Sequence, residues 1–131
     1  MNRVPLALAL LLVTTLAGCN SNEPAMPRAC TLIGCVSGLQ VEITGALPAA
    51  YSLRVEVPGS STAPRTITCD AGTQCANPVM FEDFTPDSVV VELRADTAVR
   101  RIEQRVTYQT SQPNGPGCPP TCRQAMIRIG L

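Results

Sequence analysis

Seven short runs with apolar residues at every second position limit what this chain can fold into more than any other feature. They read "GLQVEITG", "AYSLRVEVPG", "RTITC", "PVMFEDF", "DSVVVELRAD", "RRIEQRVTY" and "RQAMIRIGL". Successive side chains of a strand point to opposite faces, so this period belongs to half-buried β-strands and not to helices. The inward sets are Leu39, Val41 and Ile43; Tyr51, Leu53, Val55 and Val57; Ile67 and Cys69; Val79 and Phe81; Val89, Val91 and Leu93; Ile102, Val106 and Tyr108, broken by Gln104; and Ala125, Ile127 and Ile129. β-Branched residues dominate these runs, as strands prefer. Pro58-Gly59 and Asp96-Thr97 punctuate them. No stretch carries a helical period. One wet and one dry face per strand predicts antiparallel sheets packed face to face. The expected fold is an all-β, seven-stranded antiparallel sandwich over residues 30–131, with a small barrel as the competitor.

The cysteines add covalent constraints. Seven are present. Cys19 follows an apolar run, and the other six form near pairs: Cys30 and Cys35, Cys69 and Cys75, Cys118 and Cys122. An even set in an exported chain points to disulfides. Zinc knuckles want C-x2-C or histidine, and a dithiol redox site wants C-x-x-C opening a helix; "CTLIGC", "CDAGTQC" and "CPPTC" have neither spacing. Cys69–Cys75 would close a glycine-containing turn between two strands. The other four have two open solutions. They pair locally, or they cross-link the first and last strands, which brings both pairs to one end if those strands run parallel.

The first twenty residues read as an address. Val4 to Leu16 is thirteen residues, apolar but for Thr14 and Thr15, and preceded by the single charge of Arg3. That falls short of the roughly twenty residues a membrane-spanning helix needs, so it reads as the apolar core of a secretory signal. It runs directly into Leu16-Ala17-Gly18-Cys19. This motif resembles the lipobox of bacterial lipoproteins. The resemblance implies cleavage after Gly18, which leaves 113 residues. It also implies a thioether-linked diacylglycerol on Cys19 and an amide-linked acyl chain such as palmitate. Two or more chains hold a protein stably at a membrane, whereas one is marginal. Asn20 follows the cysteine, where aspartate would favour retention at the inner membrane, so the outer membrane is the expected location. The expected organisation is a signal at 1–18, a lipidated cysteine and tether at 19–29, and the sandwich beyond.

Two further segments carry resemblances. "FEDFTPDSVVVEL" resembles the proline corner of carboxypeptidase-regulatory-like, transthyretin-like sandwiches, with Phe81, Phe84 and Pro86 in analogous places, Asp87 where glycine is usual and Val89 where tyrosine is usual. It implies the immunoglobulin-like or transthyretin-like class of sandwich and no activity. Tyr108 to Ile129, "YQTSQPNGPGCPPTCRQAMIRI", resembles the C-terminal part of small uncharacterised bacterial lipoproteins, which likewise implies no activity.

Charge and composition narrow the function classes. Without the signal, nine arginines face ten carboxylates, a net charge of −1, which offers no pull on nucleic acid. Histidine is absent, and with it the usual general base near neutral pH and the commonest metal ligand. Tryptophan is absent too, which leaves Tyr51, Tyr108, Phe81 and Phe84 as the aromatics. No serine stands in G-x-S-x-G. The carboxylates Glu82, Asp83 and Asp87 cluster in "EDFTPD", where they offer a glycosidase pair or oxygen ligands for calcium, yet in a turn such acids are ordinarily solvated. Arg100, Arg101 and Arg105 offer a basic strip or a solvated strand face. "TSQPNGPGCPPTC", Thr110 to Cys122, offers a partner-binding rim or a strand connection stiffened by proline and disulfide. The expectation is a non-catalytic envelope protein without cofactor or metal. It is held to the membrane through Cys19 and presents a sandwich to a protein partner or serves a structural role. The alternative is a ligand-binding accessory domain for calcium, peptide or glycan.

Overall fold

Alternation becomes strands wherever the chain is free of proline and turn residues. In the computed structural model, residues 29–131 are described; the expected signal at 1–18, Cys19 and the expected tether up to residue 28 lie outside them. Eight strands form: β1 (Gly38–Thr44), β2 (Tyr51–Glu56), β3 (Arg65–Cys69), β4 (Val79–Glu82), β5 (Ser88–Ala95), β6 (Ala98–Arg105), β7 (Gln109–Ser111) and β8 (Cys122–Gly130). They build two four-stranded sheets, ordered β4-β1-β8-β7 and β3-β2-β5-β6. The inner faces meet in one apolar core. Phe81, Leu39 and Ala125 lie side by side across the first sheet, as do Val79, Val41 and Ile127, and then Ile43 and Ile129. Leu53, Val55, Val89, Val91 and Leu93 oppose them from the second sheet, all fully buried. Each such side chain stabilises the fold by roughly 1.5–3 kcal/mol through water exclusion.

Ile67, read as inward, is 39% exposed on the edge strand β3, and three broader expectations need correction. First, there are eight strands. The run ending in Tyr108 breaks at Arg105, and the chain passes through Val106–Tyr108 from one sheet to the other before β7 forms. Val106 and Tyr108 still pack against the core, so the period of burial outlasts the strand. The Tyr108 hydroxyl donates to the Pro86 carbonyl at 2.9 Å and ties this crossing to the β4–β5 corner. Secondly, the first sheet is mixed. β1 and β8 run parallel, from Gly38 opposite Gln124 to Thr44 opposite Gly130, while the other strand pairs are antiparallel. Period-2 patterning reads the same in either direction, so it carries no information on this point. Thirdly, Val90 and Glu92 point outward by alternation yet are buried. They lie on a central strand, Glu92 between Arg54 and Arg101 and Val90 between Glu56 and Glu103, and these long side chains on both neighbours cover what alternation exposes.

Local chemistry fixes the ends of β1. Gly38 lies so close to β4 that a Cβ there would run into the Phe81 carbonyl oxygen. Past the last β1–β4 pair, Asn77 stands in for a strand. Its Oδ1 accepts from the Ile43 N–H at 2.9 Å and its Nδ2 donates to the Ile43 carbonyl at 2.9 Å.

Candidate partner-binding surface

The six domain cysteines form three disulfides: Cys30–Cys118, Cys35–Cys122 and Cys69–Cys75. Of the two solutions left open, the chain uses the cross-linked one, and the parallel β1–β8 pair is what brings both bridges to one end of the sandwich. Cys69–Cys75 closes its turn as expected. Each bridge has at least one buried partner, Cys118, Cys122 and Cys69.

The Thr110–Cys122 segment acts as a brace. Asn114 spends all of its side-chain hydrogen-bonding capacity on it. Its Oδ1 accepts from the Thr31 hydroxyl at 2.6 Å and the Ile33 N–H at 3.0 Å, and its Nδ2 donates to the carbonyls of Ile33 at 2.9 Å and Pro119 at 2.6 Å. Gln124 Nε2 donates to the Val36 carbonyl at 2.7 Å, and the Ser37 hydroxyl accepts from the Arg123 N–H at 3.1 Å. The chain entering β1 is thus held along its length to the chain entering β8.

The charged candidates disperse. Arg101 pairs with Glu56 at 2.8 Å and with Glu92 at 3.5 Å, inside a network completed by Arg54–Glu56 and Arg94–Glu92. The hydrogen bond from Arg94, followed by the charges of Arg94 and Arg101, holds the Glu92 carboxyl below the usual carboxylate range against an opposing effect of burial. Alternation puts Arg100 on the other face of β6 from Arg101 and Arg105, so the three form no strip. Glu82 ends β4, and Asp83, at φ 53°, turns the chain and donates its N–H to the Ser37 carbonyl. Among the described residues no three His, Cys, Asp or Glu side chains gather as a metal-holding group.

What alternation did not reveal is an open strand edge. β8 is paired with β1 along its length, but β7 accompanies it only from Cys122 to Gln124. From Ala125 to Gly130 no strand among the described residues is hydrogen-bonded to its other side, although the crossing at Thr107 lies beside its start. Where β7 stops, a groove of about 310 Å³ opens, lined by Gln40, Thr107, Gln109, Gln124, Ala125 and Met126. Amides and a hydroxyl supply neutral donors and acceptors, and Met126, 46% exposed, supplies an adaptable apolar contact. The other sheet edges are guarded. β3 begins with Arg65, β4 has four residues, and β6 carries Arg100, Arg101 and Arg105, whereas the one charge on the open part of β8, Arg128, is paired with Glu42 of β1 at 2.6 Å. Charge and shortness are how edge strands avoid unwanted pairing.

No protein family, curated protein or solved structure matches this chain.

Proposed function

We propose that this chain is a lipid-anchored bacterial envelope protein, outer-membrane in preference to inner, that presents its sandwich to a protein partner without catalysis. The open edge of β8 carries the reading. An extended segment added there would continue the direction of β7, with main-chain hydrogen bonds giving affinity and the groove at Gln124 and Met126 selecting a side chain. The Leu16-Ala17-Gly18-Cys19 motif supports the anchor. The neutral lining of the groove favours, as a second reading, an accessory domain for a peptide or glycan; carboxylates for calcium are absent from that lining.

Two measurements test this. Intact mass of protein made in a bacterial envelope should give the 113-residue chain plus acyl groups for the wild type, and neither for Cys19→Ala. A photo-crosslinking residue at Met126 should form a discrete protein adduct in the envelope, and the same residue at Thr68, on the second sheet, should not. An unmodified wild-type mass removes the anchor. Equal or absent adducts at the two positions remove the β8 edge as the contact.

A further inference from the structure

The segment from Cys30 to Val36 holds an apolar tip, Leu32 and Ile33, out of the protein. Leu32 is wholly exposed, Ile33 is 55% exposed and Val36 is 43% exposed. A free loop would fold such side chains back against the domain. This one is not free: disulfides fix both ends to Cys118 and Cys122, and Asn114 binds the main chain of Ile33 on both its N–H and its carbonyl. The surroundings are suited to a low-dielectric neighbour. No charged residue occurs from Ala29 to Val41 or from Val106 to Cys122, the two bridged segments at this end; the charges nearby include those of Arg123 and of Glu82 and Asp83 at the end of β4. The chain also enters the domain here. Ten residues separate Cys19 from Cys30, a span of at most about 35 Å when fully extended.

We propose that Leu32 and Ile33 insert into the headgroup–acyl boundary of the same bilayer that holds Cys19, with Val36 at the rim of the contact. The inference rests on the anchor reading above. Its driving force is burial of apolar side chains at the interface, not charge, because Glu82 and Asp83 lie at the same end. The anchor raises the local concentration of the tip at the membrane, so a contact too weak to hold the domain alone suffices to orient it. In that orientation β8 runs away from the membrane. Nine residues at about 3.3 Å each place its far end roughly 30 Å from the bridge at Cys122. The open edge from Ala125 to Gly130 then faces water and a partner.

The absence of tryptophan makes the test direct, because each variant carries a single indole at a known place. Leu32→Trp, and separately Leu131→Trp at the opposite end, are prepared as full lipidated, disulfide-bonded protein in phosphatidylcholine vesicles with and without acyl-brominated lipid. Leu32 is wholly exposed, so the substitution leaves packing intact. The expected result for Leu32→Trp is a blue-shifted emission quenched about twofold or more by the brominated lipid and unchanged at high salt, with the Leu131→Trp emission unshifted and unquenched. Water-like, unquenched emission from Leu32→Trp protein that floats with the vesicles overturns the tip contact and leaves the anchor standing. Equal quenching in both variants also overturns it. Protein that fails to float with the vesicles overturns the anchor reading and the contact with it.

Discussion

At the residue scale, Tyr51 shows what the core tolerates. It is buried, and its hydroxyl is the single buried side-chain oxygen or nitrogen without a hydrogen-bond partner among the described residues. Burial pushes its pKa upward. A buried hydroxyl without a partner loses its hydration for nothing, which costs about 1–3 kcal/mol, so removing it without changing the ring is favourable. Tyr51→Phe should raise the stability of the folded domain by about 1 kcal/mol, read as a higher urea midpoint at unchanged slope. Glu92 is the opposite case, a covered charge with its partners in place. Its folded-state pKa is depressed, so its contribution to stability is present above the ordinary carboxylate range and is lost as pH falls through the folded value. Unfolding midpoints measured down from neutral pH should therefore fall steeply below about pH 4 in the wild type and less steeply in Glu92→Gln. Neither residue was legible as special in the sequence. Tyr51 reads as an ordinary inward aromatic, and Glu92 as an ordinary outward acid. Their status depends on neighbours that only the strand order supplies.

At the scale of elements, the pairing of β1 with β8 governs most of the architecture. Seven of the eight strands were visible as alternating runs; the inner strands alternate because one face is buried, whereas β3 and β6 carry the pattern although they lie at sheet edges and are largely exposed. β7 was not, because Gln109, Thr110 and Ser111 are all exposed and no apolar residue marks them. The same blindness hid the open edge, which exists because β7 is too short to cover β8. The disulfide solution became decidable only with strand direction, which alternation does not encode. The consequence is quantitative. Cys30–Cys118 and Cys35–Cys122 close nearly the same loop, with sequence separations of 88 and 87. Either bridge alone imposes the long-loop restriction, worth about 4–5 kcal/mol in the entropic model, and the second then closes only a small ring worth about 3 kcal/mol. Replacing one pair with alanines should thus cost about 3 kcal/mol, whichever pair is chosen, and replacing both should cost more than twice that. Urea titrations of the two single-pair variants and the double variant measure this directly.

At the scale of the whole molecule, the two ends of the sandwich differ in kind. One end gathers the chain entry, two bridges, the Asn114 clamp and the Leu32–Ile33 tip. The other carries Leu131 and the end of the open β8 edge. The sequence announced the first end through its cysteines and prolines, and the proposed anchor at Cys19 would place the membrane on that side. The second end became visible only when the register of eight strands was known. The bridges have one further consequence, and it is mechanical. A pull on the chain ahead of Cys30 passes through the sulfur bridge to Cys118, and from Cys35 to Cys122 at the start of β8. The load reaches β8 through covalent bonds without first peeling β1 from the sheet. A force drawn between that chain entry and anything held on the β8 edge would follow that covalent line. In the reduced protein the same force would have to travel through β1 and the hydrogen bonds of its sheet.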